Sequence, residues 1–216
     1  MRKFTLLILL LFSVAIVYSQ ADRRVLVEEA TNASCGPCAS QNPAFDALLQ
    51  ANSDMVSVIK YHSWWPGTDP MYDQNVEDNT ARIDFYGINS VPRAELDGGF
   101  DAQPGQVSQA LLNSYASNPS PFHEIDIYHY LSPGEDSIYV FMRIQAAQVI
   151  TENFLRGHCA VVEKLIDFSS PPGGNGETDF YDVMKKMLPT ATGTALKSNW
   201  VDGEYKIIAQ TWELEN

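Results

Sequence analysis

Cys35 and Cys38 are two of only three cysteines in the chain, and they stand two residues apart in the run ASCGPCASQNPAFDALL. Three chemistries use such a pair: a dithiol redox centre, half of a tetrahedral zinc site, or a structural bridge. A cysteine at the start of a helix faces unpaired backbone N–H groups and the positive end of the helix dipole, and both favour thiolate over thiol. Cys35 is so placed and is the candidate nucleophile. Cys38, one turn further on, stands where a resolving thiol would break a mixed disulfide. Zinc is disfavoured by ligand count, and no metal is expected. His158 and Cys159 are strand neighbours that point to opposite faces, and His62, His123 and His129 show no ligand spacing. Cys159 is the odd thiol, in an apolar strand, and reads as a buried hydrophobe. A purely structural bridge stays open.

Three further features favour redox chemistry. Pro43 falls inside the helix that follows the pair, where proline costs about 3 kcal/mol, so a kink there has a structural purpose. Val91-Pro92 enters a short strand, where a cis bond is a plausible device. Glu29 lies six residues before Cys35 in a strand expected to be buried. A buried carboxyl with no basic partner has a raised pKa and can exchange protons with Cys38. Trp64-Trp65 is a candidate peptide contact, though aromatic pairs more often serve packing.

These residues need elements to hold them. Val25 to Glu29 and Met55 to His62 read as buried strands, with a helix from Cys38 to Gln50 between them. Strand, helix, strand with short connections implies a parallel pair with a right-handed crossover. Asp69-Pro70 reads as an N-cap and first helical residue, opening a helical insert over about 64–86. Ala94 to Asp97 is a short strand turned by Gly98-Gly99, and Gln106 to Ala116 is a helix. Ser117 to Phe122 has linker composition. Beyond it, Phe122 to Leu131 and Ile138 to Ala147 form a hairpin, with further strands at Phe154 to Ile166 and Tyr205 to Trp212. SSPPGGNGE is expected to be a flexible loop and Asp179 to Leu188 a short helix. The fold class is therefore an α/β unit over 20–118, followed by a β-rich, immunoglobulin-like sandwich over 119–216. The chain ends four residues after Trp212 without an evident last edge strand, so the sandwich reads as small or truncated.

Residues 1–19 have a basic start, an apolar centre and small residues before Ser19, as in a cleaved secretory signal peptide. The apolar run is too short for a membrane anchor, so no transmembrane segment is expected in the mature chain. The net charge of −13 and the lack of a basic stripe argue against nucleic acid.

CGPC after a strand, Pro43 in the next helix and YGINSVP before a strand together resemble the thioredoxin superfamily. The resemblance covers about Arg24 to Ser117. It implies a thioredoxin fold for that half, Cys35 as nucleophile, Cys38 as resolving thiol, Pro92 as the cis-proline opposite them, and Glu29 as the buried acid. VLVEEAT, YHSWWPGTDPMY, ARIDFYGINSVPRAELDG and KKMLPTATGT extend it. They resemble the twenty-eight-kilodalton outer-membrane protein family of Bacteroides-like bacteria, which joins a thioredoxin-like half to a β-rich half. Ser34 replaces the tryptophan usual in both families, Ala30 an aromatic and Asn32 a glycine, which implies a more open and polar site.

The resemblance implies an exported thiol:disulfide oxidoreductase, in the periplasm or associated with the outer membrane. Its partners would be protein thiols and disulfides of the cell envelope and, for recharging, a membrane electron-donor protein. No cofactor beyond the redox-active disulfide is implied. Gly36-Pro37 resembles reducing thioredoxins, and substrate peptide would lie along Val91, with Gly36, Pro37, Trp64 and Trp65 around it. The alternative is a non-catalytic envelope binding or adhesion protein that keeps the fold as a scaffold.

Overall fold

The apolar, β-branched run Val25–Thr31 forms a central strand, β1, in the computed structural model, which describes residues 23–214. The expected signal peptide lies outside the described residues. After β1 come α1 (Gly36–Ala51), β2 (Val56–His62), α2 (Pro70–Gln74) and α3 (Val76–Tyr86). They are followed by β3 (Arg93–Leu96), β4 (Phe100–Ala102), a single 3₁₀ turn at Pro104–Gln106 and α4 (Gln109–Ala116). β1 and β2 run parallel from Val25↔Val56 to Thr31↔His62, joined by α1 as the strand–helix–strand pattern requires. β3 lies antiparallel on the other side of β1, and β4 pairs with β3.

The second half supplies β5 (Phe122–Leu131), β6 (Ser137–Ala146), β7 (Arg156–Gly157) and β8 (Cys159–Asp167). β9 (Asp179–Leu188), β10 (Thr194–Ala195) and β11 (Tyr205–Glu213) complete it. These strands do not build a separate two-sheet sandwich. β9 runs parallel to β2 through the pair Lys60↔Val183, and β8 pairs antiparallel with β9. The result is one six-stranded sheet in the order β4-β3-β1-β2-β9-β8, drawn from both sides of the expected boundary at residue 118. β5, β6 and β11 form a three-stranded sheet, β7 and β10 a two-stranded one. The fold is mixed α/β.

Asp179–Leu188, expected as a short helix, is the strand β9, although Phe180, Val183, Met184, Met187 and Leu188 fall at helical spacing. The same spacing arises in a strand that buries residues on both faces and crosses a bulge. Opposite Val161 and Val162 the register jumps from Lys186 to Met184, which shifts the alternation by one residue. Phe180 and Val183 then pack with Ala33 and Met71, while Met184 and Met187 pack with Tyr61 and Ile83 under α3. The third expected strand, Phe154 to Ile166, is broken at His158 into β7 and β8.

One apolar core lies between α1, α4 and the sheet, around Val25, Val27, Phe45, Leu49, Leu96 and Leu112. The three-stranded sheet packs Val140, Met142, Ile144 and Ile208 onto Cys159 and Leu188 of the larger sheet. Cys159 is thus a buried thiol, and burial pushes its pKa up. Among the described residues, no helix is long and apolar enough to cross a membrane.

Candidate active site

Cys35 caps α1. Its backbone is extended, its carbonyl accepts the first helical N–H groups, and its sulfur accepts from the Cys38 amide at 3.0 Å. Pro37 fits the first turn, where its missing N–H would have no helical partner anyway. Cys35 and Cys38 are joined in a disulfide. The helix continues through Pro43, which faces solvent. Gly36 and Pro37 are exposed beside the bridge.

The Val91-Pro92 peptide is cis and enters β3 opposite the pair, with the Val91 carbonyl oxygen 3.5 Å from Cys35 Sγ. Trp65 belongs to the same apolar cluster as Val91 and Ile88. Trp64 stands edge-on to Trp65 at 4.4 Å between ring centroids and is half exposed. The structure thus packs Trp65 and Val91 onto the same buried cluster and leaves Trp64 half exposed. Trp65-Pro66 is also cis.

Glu29 is fully buried on β1, but it has the basic partner that sequence reasoning left out. The ammonium of Lys60 on β2 lies 2.8 Å from Glu29 Oε2, and it also meets Asp46 of α1. Among the described residues, Glu29 Oε1 has no hydrogen-bond partner. Burial pushes the Glu29 carboxyl up, although the Lys60 charge pulls the other way. Asp46 is raised by the same cause. Burial works against the Lys60 ammonium, but Glu29 and Asp46 hold its pKa above the ordinary value, so it stays charged. One ammonium shared by two buried carboxylates favours retention of a proton by the pair of acids.

Asp46 is reached from Cys38 along one helix face. Cys38, Asn42 and Asp46 stand at i, i+4 and i+8 and are all buried. Asn42 donates to Thr31 Oγ1 of β1 at 3.1 Å and to Glu177 Oε1 at 2.9 Å. Lys60 could have been suspected from a lysine inside an otherwise apolar strand, and Asp46 from its place on the buried stripe. Glu177 comes from 135 residues away and left no such sign.

Ser34 does not open the site. Its hydroxyl donates to the Thr68 carbonyl at 2.7 Å and accepts from the Gly174 amide at 3.0 Å. Cys35 is 1 % exposed and Cys38 0 %, so the expected openness is replaced by closure. The segment before the cysteines is also pinned from below. Asp69, the N-cap of α2, accepts from the Ala33 amide at 2.7 Å and contacts His62 Nδ1 at 2.7 Å. Burial works to raise Asp69, but His62 and the Ala33 and Tyr72 backbone amides hold it below its ordinary value.

No family model matches the chain, and no curated protein matches its sequence. Among solved structures, the fold is similar to that of HBP35 of Porphyromonas gingivalis. That likeness covers 90 % of this chain and 65 % of that one, with a TM-score of 0.68 and 16 % identity. The chain therefore spans less than two thirds of that neighbour's length. Protein AGR_C_4864 from Agrobacterium tumefaciens is similar over 89 % of this chain and 80 % of that one, with a TM-score of 0.54 and 14 % identity. At these identities the likeness is one of fold alone.

Proposed function

We propose that the chain is a thiol:disulfide oxidoreductase with a thioredoxin-like core, exported to the cell envelope and acting on protein thiols and disulfides there. The observation that carries this reading is the cysteine bridge at the N-terminus of α1 facing the cis Val91-Pro92 peptide. The strand order β4-β3-β1-β2 around α1 supports the same class. The HBP35 neighbour from Porphyromonas gingivalis fits the Bacteroides-like family suggested by the sequence motifs. That family also suggests a periplasmic or outer-membrane address.

In the reducing direction, suggested by Gly36-Pro37, the cycle starts from the dithiol. The Cys35 thiolate attacks a substrate disulfide, forming a Cys35–substrate bond and expelling one substrate sulfur as thiolate, which takes a proton. Cys38 loses its proton and attacks Cys35 Sγ, forming the Cys35–Cys38 bridge and releasing the second substrate thiolate. Two electrons pass to the substrate. A reduced dithiol of a membrane donor protein would return them. The buried acids behind α1 are the groups suited to receive the Cys38 proton, with Glu29 the member on β1.

A second reading is an envelope binding or adhesion protein whose bridge never opens. The near-complete burial of both cysteines favours it. Trapping separates the two. Cys38→Ser, expressed in the protein's own envelope, is expected to accumulate mixed disulfides on Cys35 that a reductant releases and that Cys35→Ser abolishes. Absence of such adducts contradicts the enzyme reading.

A further inference from the structure

The SSPPGGNGE segment, 169–177, is not a free loop. It leaves the end of the β8–β9 hairpin, whose base is closed by the Phe168 amide on the Thr178 carbonyl at 3.0 Å, and lies back along the residues leading into the bridge. The Asn175 amide donates to the Ala33 carbonyl at 3.2 Å. The Asn175 side-chain amide reaches the carbonyls of Asn32, at 3.3 Å, and Cys35, at 3.2 Å, and also bonds to Glu177. The Gly174 amide donates to Ser34 Oγ. Glu177 fastens the far end to Asn42 of α1.

The composition of the segment fits this close approach. A Cβ on Gly173 would stand 2.1 Å from the Ala33 carbonyl oxygen, so only glycine allows the two backbones to meet. Ser34 is confined from the other side as well, since a Cβ on Gly67 would stand 2.7 Å from Ser34 Cβ. A large aromatic at position 34 would need the space that the Gly67 and Gly174 backbones occupy.

We propose that 169–177 is an autoinhibitory strap. It occupies in cis the backbone carbonyls of Asn32, Ala33 and Cys35 that lead into the bridge, and it holds the buried bridge closed to partners until it lifts. Ser34 and Asn175 are its latches, and Gly173 is the residue that lets it close. The proposal rests on the reading of the pair as exchange-active only for its biological use, because shielding itself is independent of turnover. It also reconciles a redox arrangement with a buried Cys35.

The test is the rate at which dithiothreitol reduces the Cys35–Cys38 bridge in the full chain, compared among wild type, Gly173→Ala and Asn175→Ala. Gly173→Ala forces the strap off by contact with the Ala33 carbonyl, and Asn175→Ala removes its polar latch without adding bulk. Both are expected to accelerate reduction about tenfold or more, as local opening ceases to limit access, with melting temperatures close to wild type. Rates within twofold of wild type for the folded Asn175→Ala protein overturn the strap. Faster reduction without any mixed disulfide in Cys38→Ser leaves the strap standing and removes the enzyme reading. Unchanged reduction with abundant mixed disulfides does the reverse.

Discussion

Lys60 is the cation on which two buried carboxylates depend, and that imbalance has a pH signature. Glu29, Asp46 and Glu177 are each raised, burial being the main cause. A carboxyl whose folded pKa exceeds its unfolded value binds more protons when folded. Stability therefore falls as pH rises from the ordinary value of 4.5 for Glu29 through its raised value. Asp69 works oppositely: its lowered pKa stabilises the fold above 3.8, and that contribution is lost as acid protonates it. Stability is expected to peak in mild acid. Glu29→Gln leaves Lys60 paired with Asp46, so it should flatten the decline in stability as pH rises above 4.5. Urea unfolding across that range checks this, and an unchanged slope contradicts it. The cysteines, Pro92 and Glu29 were legible because their residue types announce chemistry. Lys60 and Asp46 were legible only as polar residues on apolar faces. Asn175 and Glu177 were not, since nothing local to them says what they touch.

At the scale of elements, α1 and the strands on either side of it follow from apolar runs, an N-capping position and a short connection. The helical insert is likewise marked by Asp69, whose side chain accepts from Met71 and Tyr72 amides. β9 defeats the same reasoning because its two buried faces and its bulge together imitate a helical period. The two accounts of this segment differ in energy. As a central strand, it buries Met184 almost completely beneath α3, and Met184→Ala is expected to cost about 2–5 kcal/mol. A solvent-covered helix would lose about 0.5 kcal/mol or less at an outward position. Chemical denaturation distinguishes these values directly. The glycine-rich loop shows the converse error. Composition suggested freedom, whereas Gly173 and Gly174 allow contact with Ala33 and Ser34.

At the scale of the molecule, the break in regular structure between α4 and β5 was visible, but the destination of the strands beyond it was not. Pairing between Lys60 and Val183 is a tertiary fact that no window of sequence contains. It has a functional consequence, because it brings the β8–β9 hairpin beside β2 and so delivers its loop to the cysteine bridge. The added hairpin is thus both a sheet extension and the carrier of Asn175 and Glu177. The central claim remains that the Cys35–Cys38 pair exchanges electrons with other thiols. The most direct measurement equilibrates the full chain with thiol–disulfide buffers of graded potential, quenches with acid and counts free thiols by mass. Half-reduction above about −300 mV is predicted, in the range of exchange-active pairs, whereas a bridge that persists below about −300 mV is structural and contradicts the account.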